Sequence, residues 1–198
     1  MTMNLHRRIL LTSSLACLLG APALAQTYPT RPIKLLIGFA AGGPLDTYTR
    51  VLAQDLSLAL GQPIVVENRA GASGQIATDA VAQAEPDGYT LLSTASTFIV
   101  NPILTGKNKP DPLKDFVAVS HTAVLPTVLV VAQDSPANSV QDIVKMARSA
   151  HVTYASAGNG GPAHLAGALL AHSTGTQMTH IPFKGAAPAL AEVMSGRV

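Results

Sequence analysis

The sequence predicts an α/β protein whose parallel sheets divide into two lobes. Three observations carry that prediction. Short apolar runs alternate with segments of helical period along most of the chain. Glycine-bearing loops follow a predicted strand and precede a predicted helix three times, at 40–46, 71–74 and 156–162. A stretch at 105–114, with two prolines, a glycine and three lysines, breaks the alternation before it resumes.

Residues 33–39 form an apolar run with one lysine, as in a strand buried on both faces. After a turn through Gly42, Gly43 and Pro44, a helix is predicted to about Leu60. Val51, Leu52, Leu56, Ala59 and Leu60 lie on one face, and Gly61 is the stop. A second strand covers 64–67. The 71–74 loop opens a helix with Ile76, Ala80, Val81 and Ala84 in period, and 89–93 is a third strand. The apolar runs at 116–119 and 128–132 read as further strands, the latter within a buried stretch at 123–132. Ser139-Val-Gln-Asp142 resembles a capping box opening a helix through Met146 and Ala147. A strand at 152–155 follows. Pro162 then starts a helix bearing Leu165, Ala168, Leu169 and Leu170 that ends near Gly175. A strand at 178–181 and a helix at 187–194 complete the order. The first lobe is assigned to 26–122 and the second to 123–198. Because the sequence stops at Val198 straight after a helix, the second lobe is expected to be incomplete and the chain a piece of a longer protein.

The first 25 residues read as a signal peptide. Arg7 and Arg8 precede an apolar run at 9–19, too short to span a bilayer. Ala23-Leu24-Ala25 predicts cleavage before Gln26, and hence export to the periplasm. The arginine pair leaves the Sec and twin-arginine routes both open. The whole chain has 13 lysines and arginines against 11 acids. Both leader arginines leave on cleavage, so the mature chain is formally neutral. That argues against nucleic acid or an anionic membrane as a partner. Cys17, the one cysteine, leaves with the leader, which removes disulfide, thiolate and cysteine–metal chemistry.

The glycine loops sit where open α/β sheets bind ligands, at the carboxyl ends of strands. Helix N-termini there present amides and a positive dipole end, which suits an anion without any lysine or arginine. The loops match neither the phosphate-binding nor the dinucleotide fingerprint. Asp46 suits a first-turn helix acid with Arg50 four residues on, or else a ligand group. Lys184 after its strand suits a cleft or a solvated turn, and His164 beside Gly160-Gly161 suits the site or ordinary packing. His121, His151, His172 and His180 lack metal-ligand spacing. Ser156 is not in a nucleophile elbow, and the acids form no recognisable pair. The residues therefore favour binding over catalysis. No cofactor is expected.

Several segments then occur in a recognisable order: Tyr28-Pro-Thr-Arg-Pro-Ile33, Phe39-Ala-Ala-Gly-Gly-Pro-Leu-Asp46, Leu60-Gly-Gln-Pro-Ile-Val-Val-Glu-Asn-Arg-Ala-Gly-Ala-Ser-Gly74, Pro86-Asp-Gly-Tyr-Thr-Leu-Leu92, Asn101-Pro102, His164-Leu165 and His180-Ile-Pro-Phe-Lys-Gly185. Together they resemble the Bug family of extracytoplasmic solute receptors, also called the tripartite tricarboxylate transporter receptor family. The resemblance implies a two-lobed periplasmic-binding-protein architecture, type II-like. Here the second lobe and the return to the first are truncated. It implies a non-enzymatic, monomeric receptor that closes on a small carboxylate and passes it to the permease subunits of a tripartite tricarboxylate-type transporter. The same binding chemistry would serve a partner of a membrane sensor kinase, and a periplasmic enzyme acting on a small acid is the other rival. By motif match, first-lobe contacts come from Phe39, Ala41, Gly42, Gly43, Asp46, Ser73, Gly74, Thr94 and Ser96. Second-lobe contacts come from Ser156, Gly158, Gly160, His164 and Lys184. Pro44, Thr49, Gln75 and Ala77 depart from the family pattern, and Pro44 removes one N–H donor.

Overall fold

The structure, a computed structural model, describes residues 27–106 and 110–198. The predicted leader, its cleavage site and Cys17 lie outside the described residues. All helices and strands below fall within one compact body, Arg31–Val198.

The first sheet has three parallel strands. β1 (Ile33–Ile37) lies between β2 (Ile64–Asn68) and β3 (Thr90–Ser93), with Ile33 opposite Ile64 and Lys34 opposite Thr90. As the central strand, β1 carries the core: Ile33, Leu36 and Ile37 are at most 2% exposed. Each such side chain contributes about 1.5–3 kcal/mol of burial. The second sheet pairs β4 (Val152–Ser156) with β5 (Met178–Pro182), also parallel. Parallel neighbours need crossovers, and helices supply them. In chain order these are α1 (Pro44–Leu60), α2 (Gln75–Ala82), α3 (Thr97–Thr105), α4 (Val140–Ser149), α5 (Pro162–Thr174) and α6 (Ala186–Met194). A short 3₁₀ turn at Ala72–Gly74 precedes α2.

Most helix signals act as the sequence predicts. Gly61 ends α1 at φ 65°, as expected, but the helix opens earlier than expected, with Gly43 extended and Pro44 already inside it rather than in the 40–46 turn. At α4, Ser139 Oγ accepts from the Asp142 amide at 3.2 Å and donates to Asp142 Oδ2 at 2.7 Å. Gly161 and Pro162 open α5, and Gly175 closes it at φ 63°.

The helix faces differ from expectation. On α1 the buried residues are Asp46, Thr49 and Ala53, while Val51 and Leu60 are exposed. The inward face is polar because its polar groups are paired there: Thr49 Oγ1 lies 2.8 Å from Ser93 Oγ. On α2 the buried pair is Ala77 and Thr78, and Ile76 is half exposed. Thr78 is paired there, its Oγ1 donating to the Gly74 carbonyl at 3.1 Å. Helix α3 was not expected. Pro102 lies inside it, and Thr97, Ile99 and Val100 are β-branched, so its sequence argues against a helix.

The strands expected at 116–119 and 128–132, and the buried stretch at 123–132, do not form. Those residues have no strand pairing, and Val117, Val119, Val124 and Val128 are 72–91% exposed. An apolar run becomes a strand only where an edge accepts its amides. Among the described residues none lies alongside. Hydrogen exchange should therefore be fast across 117–131 and slow across β1, by at least about a hundredfold. Protection at Val128 and Val130 equal to that at Leu35 would show a pairing absent from this structure.

Candidate functional site

The strand order β2-β1-β3 means that the chain leaves β1 to one side and later returns to the other. With right-handed crossovers, α1 and α2 then lie on opposite faces. The reversal opens a crevice beyond the carboxyl ends of β1 and β3. The loops at 38–43 and 94–96 stand there.

The first loop is fixed by Asp46, which is 4% exposed. Its Oδ2 accepts from the Gly42 amide at 2.9 Å and its Oδ1 from Asn68 Nδ2 at 2.9 Å. Arg50 Nε reaches both oxygens at 3.1 Å. Asn68 also donates to the Phe39 carbonyl at 3.1 Å. Burial by itself would raise the Asp46 carboxyl, but hydrogen bonds from Arg50, Gly42 and Asn68 outweigh it and hold it below the ordinary carboxylate range. The carboxylate is thus engaged in shaping the loop. Its place in the first turn of α1, paired with Arg50, is the helix-acid alternative of the sequence reading.

The second loop holds Ala72 and Ser73 at φ 47° and 56°, in the left-handed region that non-glycine residues seldom enter. Ser73 faces the second sheet: a Cβ added to Gly158 would lie 3.0 Å from Ser73 Oγ. After β3 the exposed Ser96 precedes α3, and Thr94 is half-buried.

At the end of β4, Ser156 Oγ donates to the Gly158 carbonyl at 3.0 Å and accepts from its amide at 3.1 Å, bending the loop back on itself. The Gly160 amide donates to His164 Nδ1 at 3.0 Å. His164 therefore holds the loop from behind. Lys184 has an exposed side chain, and its carbonyl accepts from the Ala40 amide at 2.9 Å.

The loops of the two sheets touch. Gly161, the N-cap of α5, packs on Thr97 at the start of α3, and Gly43, the N-cap of α1, packs on Ala186 at the start of α6. Four helix N-termini thus meet in two pairs. In α3 the Phe98 and Ile99 amides bond to the Ala95 and Ser96 carbonyls, and Pro44, Pro162 and Pro188 carry no N–H in the other three helices, so the remaining first-turn amides and the like dipole ends are what attract negative charge. Ala41 and Gly42 are exposed beside one pair, and Ser73, Thr94 and Thr97 line a narrow hollow beside the other. The hollow leaves no volume for a water molecule, so anything entering must part the loops. A wider open groove of about 390 Å³ runs beside α1 and β2, but its one charged group, Arg50, is already bound to Asp46.

Thr97 escaped sequence reasoning. It is 2% exposed, and its Oγ1 has no hydrogen-bond partner among the described residues. The signal for it was the hydroxyl run Ser96-Thr97 after a strand, which has this meaning only once α3 is recognised. Among the described residues no three His, Cys, Asp or Glu side chains could hold a metal, and no helix is long and apolar enough to cross a membrane.

Comparison with known proteins gives the family and the fold. Residues 48–198 match the family model described as tripartite tricarboxylate transporter family receptor. BugT of Bordetella pertussis is 40% identical over 184 residues, covering 91% of this chain and 56% of BugT. A protein of Pseudomonas sp. strain P51 is 36% identical over 98% of this chain and 60% of its own length. Among solved structures, a Rhodopseudomonas palustris protein with adipate superposes with a TM-score of 0.83 at 35% identity, covering 86% of this chain and 58% of that one. MatC of the same organism, with bound malate, gives 0.76 at 31% identity, covering 86% and 59%. The chain thus spans little more than half the length of the relatives it matches. It belongs to the tripartite tricarboxylate transporter family of receptors, the Bug family.

Proposed function

We propose that this chain forms the ligand-capturing part of an exported receptor for a small carboxylate, with a dicarboxylate as the best fit. The observation that carries this is the meeting of α3 with α5 and of α1 with α6 by their N-termini, across two sheets. Two positive dipole ends at each meeting point suit two carboxylates on one ligand. The relatives solved with adipate and with malate support the same chemistry, since both ligands are dicarboxylates. On this reading 26–122 and 123–198 are the two lobes of a clamp, and closure buries the ligand's charge among fixed amides. The receptor binds without transforming and acts in the periplasm after cleavage at Ala25. It works as a monomer and hands its ligand to the permease subunits of a tripartite transporter.

The test is amide chemical-shift mapping of the chain with adipate and with malate. Saturable shifts clustered at Ala41, Gly43, Ser73, Thr97 and Gly161 are expected. Shifts scattered over the surface, or none at millimolar ligand, would overturn the reading. Thr97→Val provides a sharper check. Valine removes a hydroxyl that has nothing to bind, so stability should hold or rise, since an unpaired buried polar group costs about 1–3 kcal/mol. Affinity should fall about tenfold, equivalent to about 1.4 kcal/mol. A destabilised variant with unchanged affinity would place that hydroxyl outside the site.

A further inference from the structure

We propose that His164 and His180 are positioning residues that hold the 156–161 loop in its binding shape only while His164 is uncharged, so that carboxylate capture weakens on acidification. The proposal rests on the function proposed above.

The geometry is a chain of contacts behind the loop. His164, in the first turn of α5, accepts the Gly160 amide on Nδ1 at 3.0 Å. Its ring stacks on His180 of β5, centroids 4.0 Å apart and planes inclined by 22°. His180 Nε2 in turn lies 2.6 Å from Ser156 Oγ. With the Ser156 proton on the Gly158 carbonyl, a neutral His180 that carries its own proton on Nε2 donates in that contact. The two imidazoles thus grip the loop at Ser156 and at Gly160.

An imidazolium has no acceptor. Once Nδ1 of His164 takes a proton, two N–H groups face each other and the buried Gly160 amide loses its partner. A charge on His180 would leave its own donor bond intact but oppose any charge on His164 across the stack. The surroundings offer no compensation. Strands β4 and β5, against which α5 packs, contribute Tyr154 and His180 as their only titratable groups and carry no Asp, Glu, Lys or Arg. The Tyr154 ring stands 5.0 Å from His180, and burial pushes its phenol up, so it stays neutral. Val100 and Leu104 of α3 lie against Gly160. On α6, which packs on β4, Glu192 is bound to Arg197. Of the remaining groups, His172 is on α5 itself, eight residues on, Arg148 of α4 donates to the Thr174 carbonyl at the far end of α5, and His151 before β4 and Lys184 after β5 are exposed. Burial, and then the neighbouring His164, keep His180 below the usual histidine range, in keeping with a neutral stack.

The test uses the whole chain, with adipate and malate as probes, between about pH 8 and about pH 5.5. Without ligand, the Gly160 amide resonance should move with the His164 ring titration. A Gly160 amide indifferent to that titration overturns the proposal whatever the ligand result, so it stands or falls apart from the function. With ligand, affinity should drop at least about tenfold on acidification. A rise would mean that the imidazolium attracts the carboxylate, and the proposal would fail. His164→Asn places an amide oxygen where Nδ1 stood and accepts the Gly160 N–H at every pH. Whatever its affinity at the upper pH, that affinity should change by no more than about twofold on acidification, and its Gly160 amide should lose the pH-dependent shift. Retention of the full dependence in this variant would also overturn the proposal.

Discussion

Gly38→Ala should destabilise the protein by about 3 kcal/mol, at the upper end of the usual cost of overpacking. Gly38 is buried just beyond β1. A methyl group there would lie 2.4 Å from Gly74 Cα, 2.9 Å from its carbonyl oxygen and 3.1 Å from its carbonyl carbon. All three are backbone atoms, so no rotamer change relieves the clash. The loops after β1 and β2 would have to part, and Ser73 would be drawn from its seat against Gly158. Gly61→Ala is the control. Gly61 has a positive φ, 65°, which Gly38 does not, and nothing lies within 4 Å of its added methyl. Its cost is the left-handed conformation alone, about 1–2 kcal/mol. Urea unfolding of the two variants separates collision from conformation. Equal midpoints would mean that the close approach of the two loops is not what fixes Gly38.

The order of elements was legible because its signals are local. Proline and glycine bracket α1 and α5 in sequence as they do in space, and Ser139 with Asp142 caps α4 through groups three residues apart. The runs 33–39 and 64–67 are apolar enough to mark strands, whatever their neighbours. What could not be read depended on distant partners. Asp46 and Thr49 face inward because Asn68 and Ser93 meet them there, and hydrophobic period alone turned α1 by the wrong face. The run at 123–132 has strand composition but no edge to pair with among the described residues. Helix α3 stayed hidden behind Pro102, and with it the buried hydroxyl of Thr97. His164 was legible as a residue near the loop. That it holds the loop from behind depends on the Gly160 amide pointing at Nδ1, which no sequence pattern encodes.

Asp46→Ala should cost about 2–3 kcal/mol, the range for losing charge-assisted hydrogen bonds to a buried carboxylate. The loss strands the Gly42 amide and Asn68 Nδ2, while Arg50, half exposed, recovers part of its hydration. Because the first loop hangs from these bonds, carboxylate-induced shifts at Ala41 and Gly43 should vanish along with the stability. The effect carries a pH signature. The folded carboxyl is held below its ordinary range, so the unfolded chain binds the proton more readily. Its contribution is therefore complete above the unfolded value, about pH 4, and drains away as pH falls through the lower folded value. Asp46→Asn keeps the shape without the titration. The stability difference between wild type and Asp46→Asn should be flat from about pH 7 to about pH 5 and should shrink below about pH 4. A difference that stays constant through that acid range would show that the charge of Asp46 is not what holds the loop, and shape alone would then have to account for its place in the first turn of α1.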